Sequence, residues 1–339
     1  MARAAANVSR LKFAMRIPKR NLRRTEYEYL EVEDMCAPSA DEVLLACGAK
    51  GLRAVSLHTA QLSAHEPTAI RYVWWVAFDA HTDTLLLLVK AQTDDYAQLV
   101  SLRRNGREWL EVQRLEPRIL ATIAISFLAV CDSRLLFFVK GYAMYVFDVS
   151  AEHTLRDAGS VTWQSNDQWF ACTRRDGLTL VALSNDTSVS LLRLTSLPLR
   201  LVPLASVSLT YPRDLLFRED LLLVAEGNAY FTKSHAIVSF RVSDNALTER
   251  RVLLDVEAGV LVNNWAFAGD RLVLEDWGSN DLRVYAFTWA IGESVTEGSK
   301  DITEFIWPCE SSLEPLPFSK TSKGLLEAIT LFNITYINH

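Results

Sequence analysis

The sequence predicts an all-β protein built as a single β-propeller. Two observations predict it. Six aspartates, Asp41, Asp83, Asp132, Asp176, Asp220 and Asp270, recur at a spacing of roughly 40 to 50 residues, the period of propeller blades. After each comes an apolar run (43–45, 85–89, 135–139, 178–183, 221–224 and 272–274) and, past a polar gap, a second strand pattern (52–57, 99–102, 144–149, 189–194, 237–242 and 282–287). Most units also carry a strand ahead of the aspartate, at 74–78, 125–130, 169–172, 215–217 and 265–267. A fourth follows in several, as at 109–115, 201–207 and 251–256. Four short strands joined by turns make one blade. The aspartate falls at the first hairpin, where its carboxylate is expected to accept from backbone N–H groups two residues on.

The ends of the chain decide the blade count. Residues 1–24 hold eight Lys and Arg and no acid. Within them Leu11, Phe13, Met15 and Ile17 alternate with Lys12, Ala14 and Arg16, which is strand periodicity. The segment reads as a basic-faced strand, with a targeting segment as the alternative. Residues 26–33 alternate again and suggest a second strand. The six units span about residues 30 to 290, which leaves one blade's worth of chain at the two ends. Strands at 302–307 and 331–337 are the C-terminal candidates for closing the ring with the N-terminal strand, which removes an open sheet edge. The expectation is therefore seven four-stranded blades in one domain, 1–339, with six blades plus a C-terminal appendage as the alternative. Residues 311–329, with Pro315 and Pro317, read as an irregular connection.

Composition narrows the class of partner. Half of the 339 residues are hydrophobic and the formal net charge is -6, so a large core is available and no basic excess favours nucleic acid. No stretch approaches the ~18 apolar residues of a membrane span. The five cysteines, Cys36, Cys47, Cys131, Cys172 and Cys309, show no zinc spacing and read as reduced structural thiols in a cytoplasmic or nuclear protein.

With these units in view, the chain resembles the WD-repeat-like β-propeller superfamily. The likeness covers about three-quarters of the chain through blade period and hydrophobic pattern. The Gly-His and Trp-Asp dipeptides of that superfamily are absent; Phe147-Asp148 is the nearest approach.

The catalytic inventory is thin. The six histidines are scattered, and no GxSxG, P-loop or GxGxxG occurs. Residues 263–276 resemble a blade motif of calcium-dependent lactonases of the gluconolactonase type. That resemblance implies a hydrolase with Asn264 and Asp276 holding a metal that polarises a lactone carbonyl in the central channel. Against it stands a surface reading. Connections between second and third strands open on one face and carry Tyr96, Tyr230, Phe231 and Trp277 beside Asp94, Asp95 and Asp281. Aromatics in polar loops are what protein-binding hot spots are made of. Trp74, Trp75, Trp169 and Trp265 lie on first strands and are expected in the inter-blade core. The expectation is a non-enzymatic scaffold for a protein or peptide, with no cofactor. The oligomeric state is left open.

Overall fold

A computed structural model describes residues 7–18, 31–63, 66–90, 97–115, 126–139, 143–163, 169–227, 235–243, 245–276, 279 and 281–290. All of them lie in the unit Met1–Gly292. Strand β1 (Asn7–Pro18) is first in the chain and last in the ring. Blade one is β2 (Asp34–Cys36), β3 (Glu42–Ala46), β4 (Leu52–Ser56) and β5 (Gln61–Leu62). Blade two is β6 (Val73–Asp79), β7 (Thr84–Lys90), β8 (Ala97–Asn105) and β9 (Glu108–Leu115). Blade three is β10 (Ser126–Cys131), β11 (Arg134–Val139), β12 (Ala143–Val149) and β13 (Leu155–Thr162). Blade four is β14 (Trp169–Arg175), β15 (Leu178–Asn185), β16 (Ser188–Ser196) and β17 (Leu199–Ser208). Blade five is β18 (Pro212–Arg218), β19 (Leu221–Gly227), β20 (His235–Ser243) and β21 (Ala246–Leu254). Blade six is β22 (Val262–Ala268), β23 (Arg271–Asp276), β24 (Asp281–Ala290) and then β1, paired antiparallel to β24.

The expected seven blades are thus corrected to six among the described residues. The sixth unit has three local strands and borrows its fourth from the N-terminus. The leftover segment completes an existing blade and does not found another. The suggested C-terminal closing strands, 302–307 and 331–337, and the connection 311–329 lie outside the described residues. Of the strand suggested at 26–33, the described part, 31–33, is not in a strand; β2 begins just after it.

Six apolar clusters hold the ring, each between one adjacent pair of blades. The cluster that closes it packs Ala266, Val273 and Leu282 of blade six, with Ile17 of β1, against Val43, Leu45 and Val55 of blade one. Second strands bury both faces, since each blade has a neighbour on either side. That is why they read as unbroken apolar runs, such as the four leucines and valine of β7, and not as alternating ones. Outer strands alternate more: β13 and β9 are exposed along most of their length. In β1 a register shift between Phe13 and Met15 resets the alternation. Phe13 is consequently 54% exposed and edge-on to Tyr285, whereas Ile17 is fully buried.

The hairpin aspartates work differently from expectation. Asp83, Asp132 and Asp176 take left-handed φ of 52°, 48° and 49°, so their backbones make the turn. Carboxylates of two others reach the preceding blade: Asp270 accepts from Arg218 at 3.1 Å, and Asp41 lies 3.6 Å from Arg271. The carboxylate that caps a turn is the buried Asp79. Its Oδ1 accepts from the N–H of His81 at 3.3 Å and of Ser133, in blade three, at 3.1 Å. Among the described residues no helix is long and apolar enough to cross a membrane.

Candidate functional site: the central channel

The innermost strands, β2, β6, β10, β14, β18 and β22, surround a cavity of about 590 Å³. Each of these strands has one neighbour in its sheet, so its other edge turns unpaired N–H and C=O groups toward the channel. The walls differ in chemistry. Blades two to four contribute Trp75, Phe78, Leu128, Trp169 and Cys172, and blades five, six and one contribute Asp214, Asn264 and Asp34.

Backbone irregularity places two of those polar groups; Asp34 is the first residue of β2, which pairs with β3 without a shift. Pairing of β18 with β19 shifts register between Arg213 and Leu215, leaving Asp214 as the extra residue. Pairing of β22 with β23 shifts between Val262 and Trp265, where Asn263 and Asn264 stand. In β6 the same happens at Trp74. All three bulges lie near the starts of their strands, at one end of the channel. Bulges re-aim side chains and recur beside functional sites. The inner strands of blades three and four pair without a shift.

Asp34 and Asp214 are enclosed by protein yet wet from the channel side. Asp34 Oδ2 accepts from the Val76 N–H at 2.9 Å, linking blade one to blade two. Burial holds its carboxyl well above the usual range, against two backbone N–H bonds, and Asp214 adds repulsion. Asp214 Oδ1 accepts from the Leu215 N–H at 2.9 Å, and burial pushes its carboxyl up to about 7. The Trp265 indole N–H faces that carboxylate and lowers its pKa somewhat, but stops short of hydrogen-bond geometry. Glu33, next to Asp34 in sequence, is raised to about 7 by burial and then by Glu31 and Glu275.

The residues singled out in the sequence fall as follows. Tyr96, Asp94, Asp95, Tyr230, Phe231 and Trp277 lie outside the described residues. Asp281 is buried at the start of β24, and its carboxylate accepts from the Arg16 guanidinium of β1. Asn264 is buried and its amide donates to Val32 O at 3.1 Å and Glu275 Oε2 at 2.8 Å. Asp276 is fully buried, accepts from Leu261 N–H at 2.9 Å and Ser279 Oγ at 2.6 Å, and pairs with Arg283 at 2.5 Å. The two proposed metal ligands are thus engaged by protein groups. Among the described residues no three His, Cys, Asp or Glu side chains group to hold a metal. Trp265 packs in the core between blades five and six, and Trp75 and Trp169 pack at the edges of theirs; all three also line the cavity. Cys36, Cys47, Cys131 and Cys172 are in no disulfide. Contact with Cys131, and then burial, raises the Cys172 thiol well above its usual value.

Asp34 and Asp214 were missed in the sequence reading. For Asp214 the available signal was a single acid within the first strand of its unit; Asp34, next to Glu33 and ahead of a three-residue strand, carried none.

No protein-family model matches the chain, and no curated protein does. Solved structures do. Hydrazine synthase of Kuenenia stuttgartiensis aligns at TM-score 0.51 and 9% identity, over 78% of this chain and 79% of that one. A functionally unknown protein of Desulfotomaculum acetoxidans aligns at TM-score 0.51 and 13% identity, over 75% and 84%. The Swd1 β-propeller domain of Myceliophteria thermophila aligns at TM-score 0.49 and 13% identity, over 78% and 86%. At such identities the likeness concerns fold alone. The strand order itself establishes a ring of repeated four-stranded blades, which is the level at which the chain resembles WD-repeat-like propellers.

Proposed function

We propose that this chain is a non-enzymatic scaffold that binds a protein or peptide across one face of the propeller, in the cytoplasm or nucleus. One observation carries the reading. The chain leaves β7, β19 and β23 at the end of the channel where the bulged residues stand, because Val73 pairs with Val89, Pro212 with Glu226 and Val262 with Asp276. Strands β7, β19 and β23 therefore end at the asymmetric end of the channel, and Tyr96, Tyr230, Phe231 and Trp277 follow them in sequence. Tyr96, Tyr230, Phe231 and Trp277 are the proposed apolar anchors, and Asp94 and Asp95 orient a polar partner; Asp281, first read in that role, is buried and spent on Arg16. The commitment of Asn264 and Asp276 to protein partners supports this over the metal-dependent hydrolase.

Affinity capture with wild type and with the triple variant Tyr230→Ala/Phe231→Ala/Trp277→Ala tests the reading. Loss of specific partners from the variant is expected; equal recovery from both defeats the loop-face site. Calcium is expected to leave the melting temperature unchanged. A large calcium-dependent rise, abolished in Asp276→Ala, would return the hydrolase reading.

A further inference from the structure

Cys131 ends β10 and Cys172 sits in the middle of β14, the inner strands of blades three and four. Both strands pair with their sheet neighbours without a register shift, so simple alternation fixes the side each residue faces. On β10, Leu128 and Val130 pack toward blade two and Ala129 toward blade four. Cys131, two residues past Ala129, therefore faces blade four. On β14, Trp169 and Ala171 pack toward blade five, and Phe170 and Cys172 toward blade three. The two cysteines thus enter one interface from opposite sides. They also stand at one height along it. The guanidinium of Arg174, two residues past Cys172, donates to the carbonyl of Asp132, the residue after Cys131, at 3.4 Å. The thiols touch, and that contact, followed by burial, keeps the proton on Cys172. Neither thiol is sealed off: both are partly exposed, and Cys172 lines the channel cavity. Cys36 and Cys47 differ in each respect. They are buried, in two separate interfaces, Cys36 between blades one and two and Cys47 between blades six and one. Among the described residues, Cys131 and Cys172 are the cysteines that share an interface.

We propose that Cys131 and Cys172 form an oxidisable dithiol, a modification site at which hydrogen peroxide closes a disulfide between blades three and four. The Cys131 sulfur attacks one peroxide oxygen. The O–O bond breaks, the thiol proton leaves with the departing oxygen as water, and Cys131 becomes a sulfenic acid. The Cys172 sulfur then attacks the sulfenic sulfur. The S–S bond forms, the S–O bond breaks, and the hydroxyl takes the Cys172 proton and leaves as a second water. Two thiols lose two electrons and one peroxide gains them. Inner strands of adjacent blades are not paired to each other by backbone hydrogen bonds, so side chains alone join them at the channel wall. The disulfide makes one of those contacts covalent. It also closes the segment 131–172, which contains the other three strands of blade three, into a loop and so restrains the unfolded chain. Thiol exchange with a cellular reductant reopens it, as is usual for disulfides formed transiently inside cells. Oxidation therefore locks the regularly paired half of the ring.

The full chain, reduced and then freed of reductant, is treated with hydrogen peroxide, quenched with N-ethylmaleimide and digested with trypsin. Mass spectrometry is expected to find the Cys131 peptide joined to the Cys172 peptide, and dithiothreitol to separate them. The oxidised chain should melt about 3 °C or more above the reduced one. Cys172→Ser leaves Cys131 without a partner, so its sulfenic acid should accumulate and be trapped by dimedone. The variant Cys36→Ser/Cys47→Ser/Cys309→Ser keeps the pair and should close it as wild type does. Oxidation in urea is the reference, in which the unfolded chain should scatter its disulfides among all five cysteines. The wild-type peptide map needs no variant, so it decides even where a serine variant does not fold. Alkylation of both Cys131 and Cys172 by N-ethylmaleimide after peroxide treatment overturns the proposal. So does a folded chain whose disulfides are scattered as they are in urea, or an oxidised chain that melts no higher than the reduced one. The loop-face reading is separable: it stands or falls with partner capture by the Tyr230/Phe231/Trp277 variant, whatever the thiols do.

Discussion

Blades three and four, and blades five and six, offer their inner strands to the same channel with opposite results. β10 and β14 pair regularly with their neighbours and show the channel Leu128, Trp169 and Phe170. β18 and β22 each break register near their first residues and show it Asp214 and Asn264. A regular strand alternates its side chains between the two neighbouring blades, both apolar. An extra residue has no assigned side, so a polar side chain can turn to the channel without entering a core. The difference teaches that in blades five and six the polar lining sits where the ladder is interrupted; an interruption alone does not suffice, since the bulged β6 shows the channel Trp75 and Phe78, nor is it required, since Asp34 stands on the regularly paired β2.

The polar wall also depends on ring closure, because blade six holds Asn264 and is completed by β1. Deleting residues 1–18 is therefore expected to have the largest effect. It removes the fully buried Ile17, the Arg16–Asp281 contact and a whole edge strand. The truncated chain should fail to fold or melt far below wild type in a calorimetric scan. An unchanged melting temperature would mean that β1 does not close the ring. Next comes a cavity in the regular half. Phe138→Ala, in a fully buried position between blades three and four, should cost about 3–5 kcal/mol in urea unfolding. A loss of less than about 1 kcal/mol would show that this interface is looser than its packing implies.

A smaller effect is expected in the bulged half. Glu275 is buried and accepts from the amides of Asn263 at 2.9 Å and Asn264 at 2.8 Å. Glu275→Ala should cost about 1–3 kcal/mol by stranding those donors.

Two titrations sharpen the contrast further. Burial raises the Asp214 carboxyl in the folded state from its ordinary 3.8 to about 7, so the folded state holds its proton longer than the unfolded one. Stability then falls as pH rises from about 4 to about 7, and the full penalty is present above that window. Asp214→Asn is expected to raise the melting temperature by a few degrees at pH 8, with the gain fading toward pH 4. A gain that does not depend on pH would mean that Asp214 is not strained by its charge. His235 behaves in the opposite sense. Burial, then the charge of Arg213, lowers it from 6.5 to about 4, and its Nδ1 accepts from the Val262 N–H at 3.1 Å in the neutral form. Its contribution is intact above about 6.5 and is lost as pH falls toward 4. His235→Gln should give a slightly flatter stability profile between pH 6.5 and 4 than wild type. An identical profile would assign the acid limb to other groups.

Sequence alone determined the propeller class and most strands of all six units. The reason is physical: a blade's second strand is buried on both faces, and its apolar run at a fixed period needs no knowledge of neighbours. The hairpin positions were legible for the same reason, since each turn interrupts a run. Tertiary structure decided everything that depends on a partner distant in the chain. The blade count was one such matter, because β1 pairs with β24 some 270 residues away, and a lone strand pattern carries no record of its mate. The roles of the hairpin carboxylates were another: Asp270 and Asp41 meet arginines of the preceding blade, while Asp79 makes the turn. The channel wall was the last. Asp34, Asp214 and Asn264 stand far apart in sequence, and only closure of the ring sets three polar residues on one side of a single cavity, opposite Trp75, Leu128 and Trp169.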